Sequence, residues 1–230
     1  MTKALQTRTA LTLAWALAAL TACASNPTRD ETQGRVDAAG KTLSDFTRDP
    51  DMSWFRDHVG QARALLISPR VVQAGFVFGA SGGEALVIAR NRGGTGWSSP
   101  AFYHMGTGSV GLQAGAQASE KVALVMTEKA LNSLLSNSFK LGGDVSVAAG
   151  PVGVGTGAPV TADMIVYVRS KGLYGGLNLE GTVIAVDDKR NQAYYGMPAT
   201  PVDILVTHSV TSADGAVLAR AASGAIAHAQ

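Results

Sequence analysis

Ser109-Val110-Gly111-Leu112-Gln113-Ala114-Gly115-Ala116-Gln117 alternates with period two. Val110, Leu112, Ala114 and Ala116 fall on one side, and Gly111, Gln113, Gly115 and Gln117 on the other. Side chains two apart share one face of an extended chain, so the stretch reads as a half-buried strand and not as a helix. Glycine weakens a strand unless a bend, a bulge or a close backbone approach uses it. The chain has 27 Gly, many in such stretches, which points to a strongly curved antiparallel sheet, barrel-like if it closes.

The same character extends on both sides. Short apolar runs broken by glycine predict strands near 71–79, 84–90, 99–104, 109–117, 120–126, 144–151, 163–170 and 176–186. Two short helices interrupt them. Thr127 caps one from Glu128 to about Ser136, with Glu128 at the positive end of the helix dipole. Asp187 or Asp188 caps another from Lys189 to Tyr195, closed by Gly196 and Pro198. Upstream, from Gly34 to about Ala64, the pattern is helical but interrupted at Pro50: Val36, Leu43 and Phe46 share a face, and Trp54, Phe55 and Val59 resume the stripe. The fold class expected is therefore α+β, a curved sheet with N-terminal helices and two short packed helices. Asp203 to Ala229 is Ala-rich and ambiguous.

The 230 residues are 46% hydrophobic and 16% charged, enough for one domain with a sizeable core and too apolar for a disordered tail. The first 22 residues read as an address. Lys3 and Arg8 precede an apolar run from Ala10 to Leu20, too short for a membrane-spanning helix but suited to a signal-peptide core. Leu20-Thr21-Ala22-Cys23 then matches the bacterial lipoprotein pattern, in which the cysteine is acylated and becomes the first mature residue. Cys23 is the only cysteine of the chain, which excludes an intrachain disulfide framework. Acyl chains there, palmitate among them, would anchor the protein stably. Ala24, rather than Asp, points to the periplasmic face of the outer membrane. Residues 23–33 read as an acylated tether, 34–200 as the folded domain and 201–230 as a C-terminal extension. Removing the signal takes two of 19 basic residues and leaves 17 against 17 acidic. No basic excess remains, which speaks against nucleic acid as a partner.

Two catalytic patterns fail on context. Gly106-Thr107-Gly108-Ser109-Val110-Gly111 fits GxGxxG, but the dinucleotide mechanism needs a helix to follow, and period-two alternation follows instead. It reads as a glycine-rich β-turn. Gly79-Ala80-Ser81-Gly82-Gly83 fits GxSxG, but Glu84 to Arg90 reads as a strand, making Ser81-Gly82-Gly83 a hairpin turn and not a nucleophile elbow. His58, His104, His208 and His228 show no metal-ligand spacing. Neither a cofactor nor a metal is expected, and a serine hydrolase using Ser81 remains the weakest alternative.

Six stretches taken in order resemble the SYLF domain family: SPRVVQAGF (68–76), GWSSPAFY (96–103), GSVGLQAGAQ (108–117), LVMT (124–127), GGDVSVAAGP (142–151) and SKGLYGGLNLEG (170–181). The family is a lipid-binding module of bacterial lipoproteins and eukaryotic membrane-trafficking proteins. Its usual glycine triplet is here Gly106-Thr107-Gly108, and the tail beyond Pro201 fits it less well. Eukaryotic relatives are associated with phosphoinositide and actin binding, partly through a basic N-terminal helix. Here Asp37, Asp45, Asp49, Asp51 and Asp57 balance Arg35, Lys41, Arg48 and Arg56, so neither specificity is carried over. The resemblance implies a non-enzymatic module that engages membrane phospholipid. Arg63, Arg70, Arg169 and Lys171, beside apolar residues near strand ends, and the Trp54-Phe55 pair are the candidate lipid contacts. The alternative is an envelope scaffold that binds a protein partner through an edge strand or the 203–229 tail.

Overall fold

The computed structural model describes residues 26–75, 78–110, 115–150, 161–171 and 181–227. The lipobox and Cys23 lie outside them. The first helix, α1 (Arg29–Arg48), starts with a capping box: Thr28 accepts from the Glu31 backbone N–H while Glu31 accepts from that of Thr28. Residues 29–33, expected as tether, are therefore helix, because Thr-x-x-Glu satisfies two of the N–H groups that a helix start leaves unpaired. Asp49 and Pro50 end α1, and a 3-10 turn leads into α2 (Ser53–Val59).

The strands are β1 (Ala64–Gly75), β2 (Phe78–Ala89), β3 (Ala101–Val110), β4 (Gly115–Val125), β5 (Ser138–Lys140), β6 (Val147–Ala149), β7 (Met164–Lys171) and β8 (Val183–Val186). They form one sheet in the order β5-β8-β3-β2-β1-β4-β7-β6. All described pairings between strands are antiparallel except β6 with β7, which is parallel and departs from the expected all-antiparallel sheet. Two turn readings are corrected. Ser81-Gly82-Gly83 lies inside β2, paired through to Thr107, Gly106 and Met105, and Gly106 to Val110 is strand β3. Glycine there does not turn the chain but makes room. β1 bulges between Ile67 and Arg70, and a Cβ on Gly83 would stand 2.6 Å from the Arg70 carbonyl oxygen.

The chain itself forces the sheet to curl. Laid flat, eight strands would set β5 and β6 about 34 Å apart. Yet Lys140 and Val147 are joined by residues 141–146, whose greatest reach is about 25 Å. That link is moreover folded, with Gly142 N–H donating to the Val145 carbonyl at 2.8 Å and a bridge between Leu141 and Val145. The result is the expected α+β fold with a curled half-barrel.

The two faces pack separately. The outer face buries Leu65, Ile67, Leu86, Ile88, Phe102 and Leu124 under Leu43 and Phe46 of α1, Phe55 and Val59 of α2, and further helices. The inner face buries Leu66, Val87, Tyr103, Val125 and Met164 against Ala130 and Leu134 of α3 (Glu128–Leu134) and Ile204 and Leu205 of α5 (Pro201–Leu205). These two helices plug one end of the curl, here called the base. Thr127 caps α3 as expected, accepting from Ala130 N–H, and its hydroxyl also donates to Asp163 at 2.7 Å. Asp163 accepts from Ser146 N–H and Oγ as well, so one carboxylate ties α3 to the β6–β7 edge. These hydrogen bonds, led by that from Thr127, hold its pKa well below the usual carboxylate range.

Helix α4 (Asp188–Tyr195) has Asp187 as N-cap and Gly196 as C-cap, with φ +71°, a left-handed conformation that glycine adopts without strain. After α5, α6 (Ala216–Ala227) lies along α1 with Leu218, Ala222 and Ala225 buried in the outer core. A boundary at residue 200 therefore does not divide the structure: 201–227 shares both cores.

Candidate functional site

Most of the expected lipid contacts are engaged within the fold. Phe55 is fully buried, its ring edge-on to Tyr167 at 5.4 Å, and it cannot reach a membrane. It faces inward because i, i+4 spacing puts it with Val59 on the apolar side of α2. Trp54 is half-buried and stacked on His58 at 3.5 Å. Arg169 leaves β7 on the outer face among three carboxylates, Asp49 at 3.4 Å, Glu120 at 3.7 Å and Asp45 at 4.0 Å, over the Phe46 ring. That is a structural tie between α1 and the sheet, not a free cation. Arg70 is exposed at the bulge. Lys171 ends β7, and its side chain lies outside the described residues.

Ser81 does not form a hydrolase site. It sits mid-strand, and strand alternation puts it on the inner face while His104 takes the outer one. There His104 Nε2 meets Asp187 at 2.8 Å, Arg190 meets both Asp187 and Glu84 at 2.5 Å, and Arg35 meets Glu84 at 2.8 Å. Burial pushes the Asp187 carboxyl up, but hydrogen bonds from His104 and Arg190 outweigh it and hold the group at about 2. The network joins α1, α4, β2 and β3. Among the described residues no cluster of three metal-ligating side chains occurs.

One candidate contact does open onto a cleft. At the base, a cavity of about 670 Å³ lies between the start of β1, the β2–β3 connection, α3 and the end of α5. Arg63, Arg90 and Arg92 supply its cationic side, with His208 beside them; Leu131, Leu135, Leu205 and Val206 supply an apolar wall. Arg63 pairs with Glu128 across one lip. Arg90 is fixed by donating to the Ala62 carbonyl at 3.1 Å and the Gly60 carbonyl at 3.0 Å, with its guanidinium 4.7 Å from the Trp97 ring centre. Arg92 is exposed, and among the described residues it has no ion pair. Buried Asn91 Oδ1 lacks a hydrogen-bond partner. His208 takes a left-handed backbone, φ +53°, with Nδ1 3.2 Å from the Ile204 carbonyl.

Three arginines beside leucines suit an amphiphile with a negative head, since the fixed cations meet charge while the wall meets hydrocarbon. The sequence reading found Arg63 but missed Arg90, Arg92 and His208. The run Arg90-Asn91-Arg92-Gly93-Gly94, two cations at a strand end before a glycine turn, was the available signal. His208 comes from far along the chain and left none.

Residues 106–224 match the family model Ysc84, described as Las17-binding protein actin regulator. The chain is similar to protein YSC84 of Saccharomyces cerevisiae, 30% identical over 194 residues, covering 79% of this chain and 41% of that one. It is similar to LAS seventeen-binding protein 3 of the same yeast at 30% identity, covering 79% and 42%. It is also similar to human SH3 domain-containing YSC84-like protein 1, 28% identical over 191 residues, covering 79% and 55%. The chain thus spans about half or less of the length of these relatives. No solved structure matches. With the family model matched over more than half its length, the chain belongs to the Ysc84, or SYLF, family.

Proposed function

We propose that the protein is a non-enzymatic lipoprotein, held by acyl chains on Cys23 at the periplasmic face of the outer membrane, whose SYLF domain binds membrane phospholipid through the base cleft. The observation that carries this reading is the pairing of Arg63, Arg90 and Arg92 with the Leu131, Leu135, Leu205 and Val206 wall. The anchor raises the domain's effective concentration at the bilayer, so contacts that are weak singly are still occupied. No helix of the described residues is long and apolar enough to cross a membrane.

The test is vesicle flotation of the mature chain carrying Cys23→Ser, with phosphatidylglycerol or phosphatidylcholine vesicles over a salt series. Each basic residue near an anionic surface contributes about 1 kcal/mol. Binding to phosphatidylglycerol should fade with salt and fall tenfold or more in Arg63→Glu/Arg92→Glu. Flotation that both reversals leave unchanged would remove the cleft from the reading. The anchor is tested separately: Cys23→Ala should move the protein from the membrane to the soluble fraction and abolish palmitate labelling.

The relatives' names carry a second reading, in which the domain binds a protein partner. Under it the Cys23→Ser protein would not float under any condition, and an envelope protein would crosslink to it.

A further inference from the structure

The inner face of the sheet changes chemistry along its length. Near the base the inward positions are Leu66, Val87, Tyr103, Ala123 and Val125, packed on α3 and α5. Beyond Met105 and Val71 they become Gln73, Ser81, Thr107, Gln117 and Ser119, with Ser68 beside them. The ladder of β4 with β7 runs without a break from Ala118 to Val125. Lys121 therefore shares the inward face of Ala123 and Val125, opposite Ser68 and Val168. It is the only charged residue at an inward strand position among the described residues.

Lys121 is 6% exposed. Among the described residues no ion pair or hydrogen bond reaches its ammonium, and burial lowers its pKa. Two inward positions along β4, Gln117 Oε1 is also buried and without a partner. The stem of Lys121 is buried along this wall with no countercharge beside it, and an apolar side chain of the same length would fit there at less expense. Here the base half is filled with side chains, while the other half is lined by small hydroxyl and amide groups.

We propose that this second half of the inner face binds a small polar molecule bearing one negative charge on oxygen. Lys121 supplies the countercharge, and Gln117, Ser119, Ser81 and Thr107 bond the ligand's hydroxyl or ester oxygens. One lysine matches one negative charge, and a polar lining excludes a hydrocarbon chain from the interior. The group can belong to a soluble molecule or to a lipid head whose chains stay outside. The site begins at mid-sheet, with Lys121 opposite Ser68, and extends away from the arginine cleft; it stands whether or not that cleft binds lipid.

The experiment is NMR titration of the mature Cys23→Ser chain and of its Lys121→Met variant with glycerophosphoglycerol, glycerate and phosphatidylglycerol vesicles. The expected result is shift changes at Ser81, Thr107, Gln117 and Ser119, with affinity at least tenfold weaker in Lys121→Met, about the contribution of a charge-assisted hydrogen bond. Binding of a soluble probe assigns the ligand to solution, and binding of vesicles alone assigns it to a lipid head. Lys121→Met should melt at the wild-type temperature or higher. A fall of about 4 °C or more would show that the ammonium already has a partner inside the protein, and would overturn the site. Shift changes confined to the base, equal affinity of the two proteins, or no binding of any probe would overturn it as well.

Discussion

The base and the far half of the sheet are built from the same four long strands, yet they bury very different amounts of side chain. At the base, Leu65, Ile67, Leu86, Ile88 and Leu124 are fully buried under helices. Beyond the β1 bulge, the same outer face carries Val72, Ala74, Ala80, Gly82, Gly106, Gly108, Ala116 and Ala118, all exposed. The ladders continue through both halves without loss of register in β2 and β3. Backbone pairing alone therefore extends the strands, while the hydrophobic stabilisation, about 25 cal/mol per Å² of apolar surface, is concentrated at the base. The far half is left with small groups and a polar interior, the composition of a surface that receives something and not of a core.

The largest test of that contrast is Phe102→Ala against Val72→Ala. Phe102 is buried in the outer core with its ring 5.2 Å from that of Tyr194, and its loss should cost about 3–5 kcal/mol in denaturant unfolding. Val72 is 45% exposed, and its truncation should stay within about 0.5 kcal/mol. Comparable losses at the two sites would mean that the far half carries core energy after all.

Neighbouring glycines sharpen the comparison within one strand. Gly83→Ala sets a Cβ 2.6 Å from the Arg70 carbonyl and 3.1 Å from Val71, an overlap that should cost about 1–3 kcal/mol. For Gly82→Ala the nearest atom is the Met105 carbonyl at 3.8 Å, so its unfolding midpoint should stay at the wild-type value. Asn191 tests the outer layer. Fully buried, it accepts from Phe102 N–H at 2.9 Å and so extends the β3 ladder into α4. Asn191→Ala would leave that N–H unpaired, and unfolding should record a loss of about 1–2 kcal/mol.

The last test is a pH dependence. The Asp187 carboxyl titrates at about 2 in the folded protein, below its unfolded value of about 3.9. Its contribution is therefore complete above about pH 4 and is lost as pH falls toward 2. Asp187→Asn should flatten that part of the stability curve. An unchanged acid limb would show that the His104–Asp187–Arg190 contacts contribute nothing to it.

What was legible in the sequence was local. Thr127 and Asp187 announced their helices because a side-chain oxygen reaching the backbone three residues on needs only its own segment. The Val36, Leu43 and Phe46 stripe showed the buried face of α1 for the same reason. Ser81-Gly82-Gly83 and Gly106-Thr107-Gly108 were misread as turns, because glycine in a strand looks like a turn until its cross-strand neighbour is known. In the site, Arg63 stands beside its strand end as the sequence suggests, whereas Arg169, a candidate lipid contact by sequence, is held by Asp45, Asp49 and Glu120, which approach it from other elements.

The sequence by itself determined the α+β class, the family, the helix caps and the alternation that gives each strand two faces. These depend on side chains and backbone within a few residues of each other. Only the tertiary structure decided that the curl is a half-barrel, which turn readings were strands, that 201–227 completes the cores, and that Lys121 is buried inside the curl. Each of these depends on which distant strand lies 5 Å away, and no local pattern carries that distance.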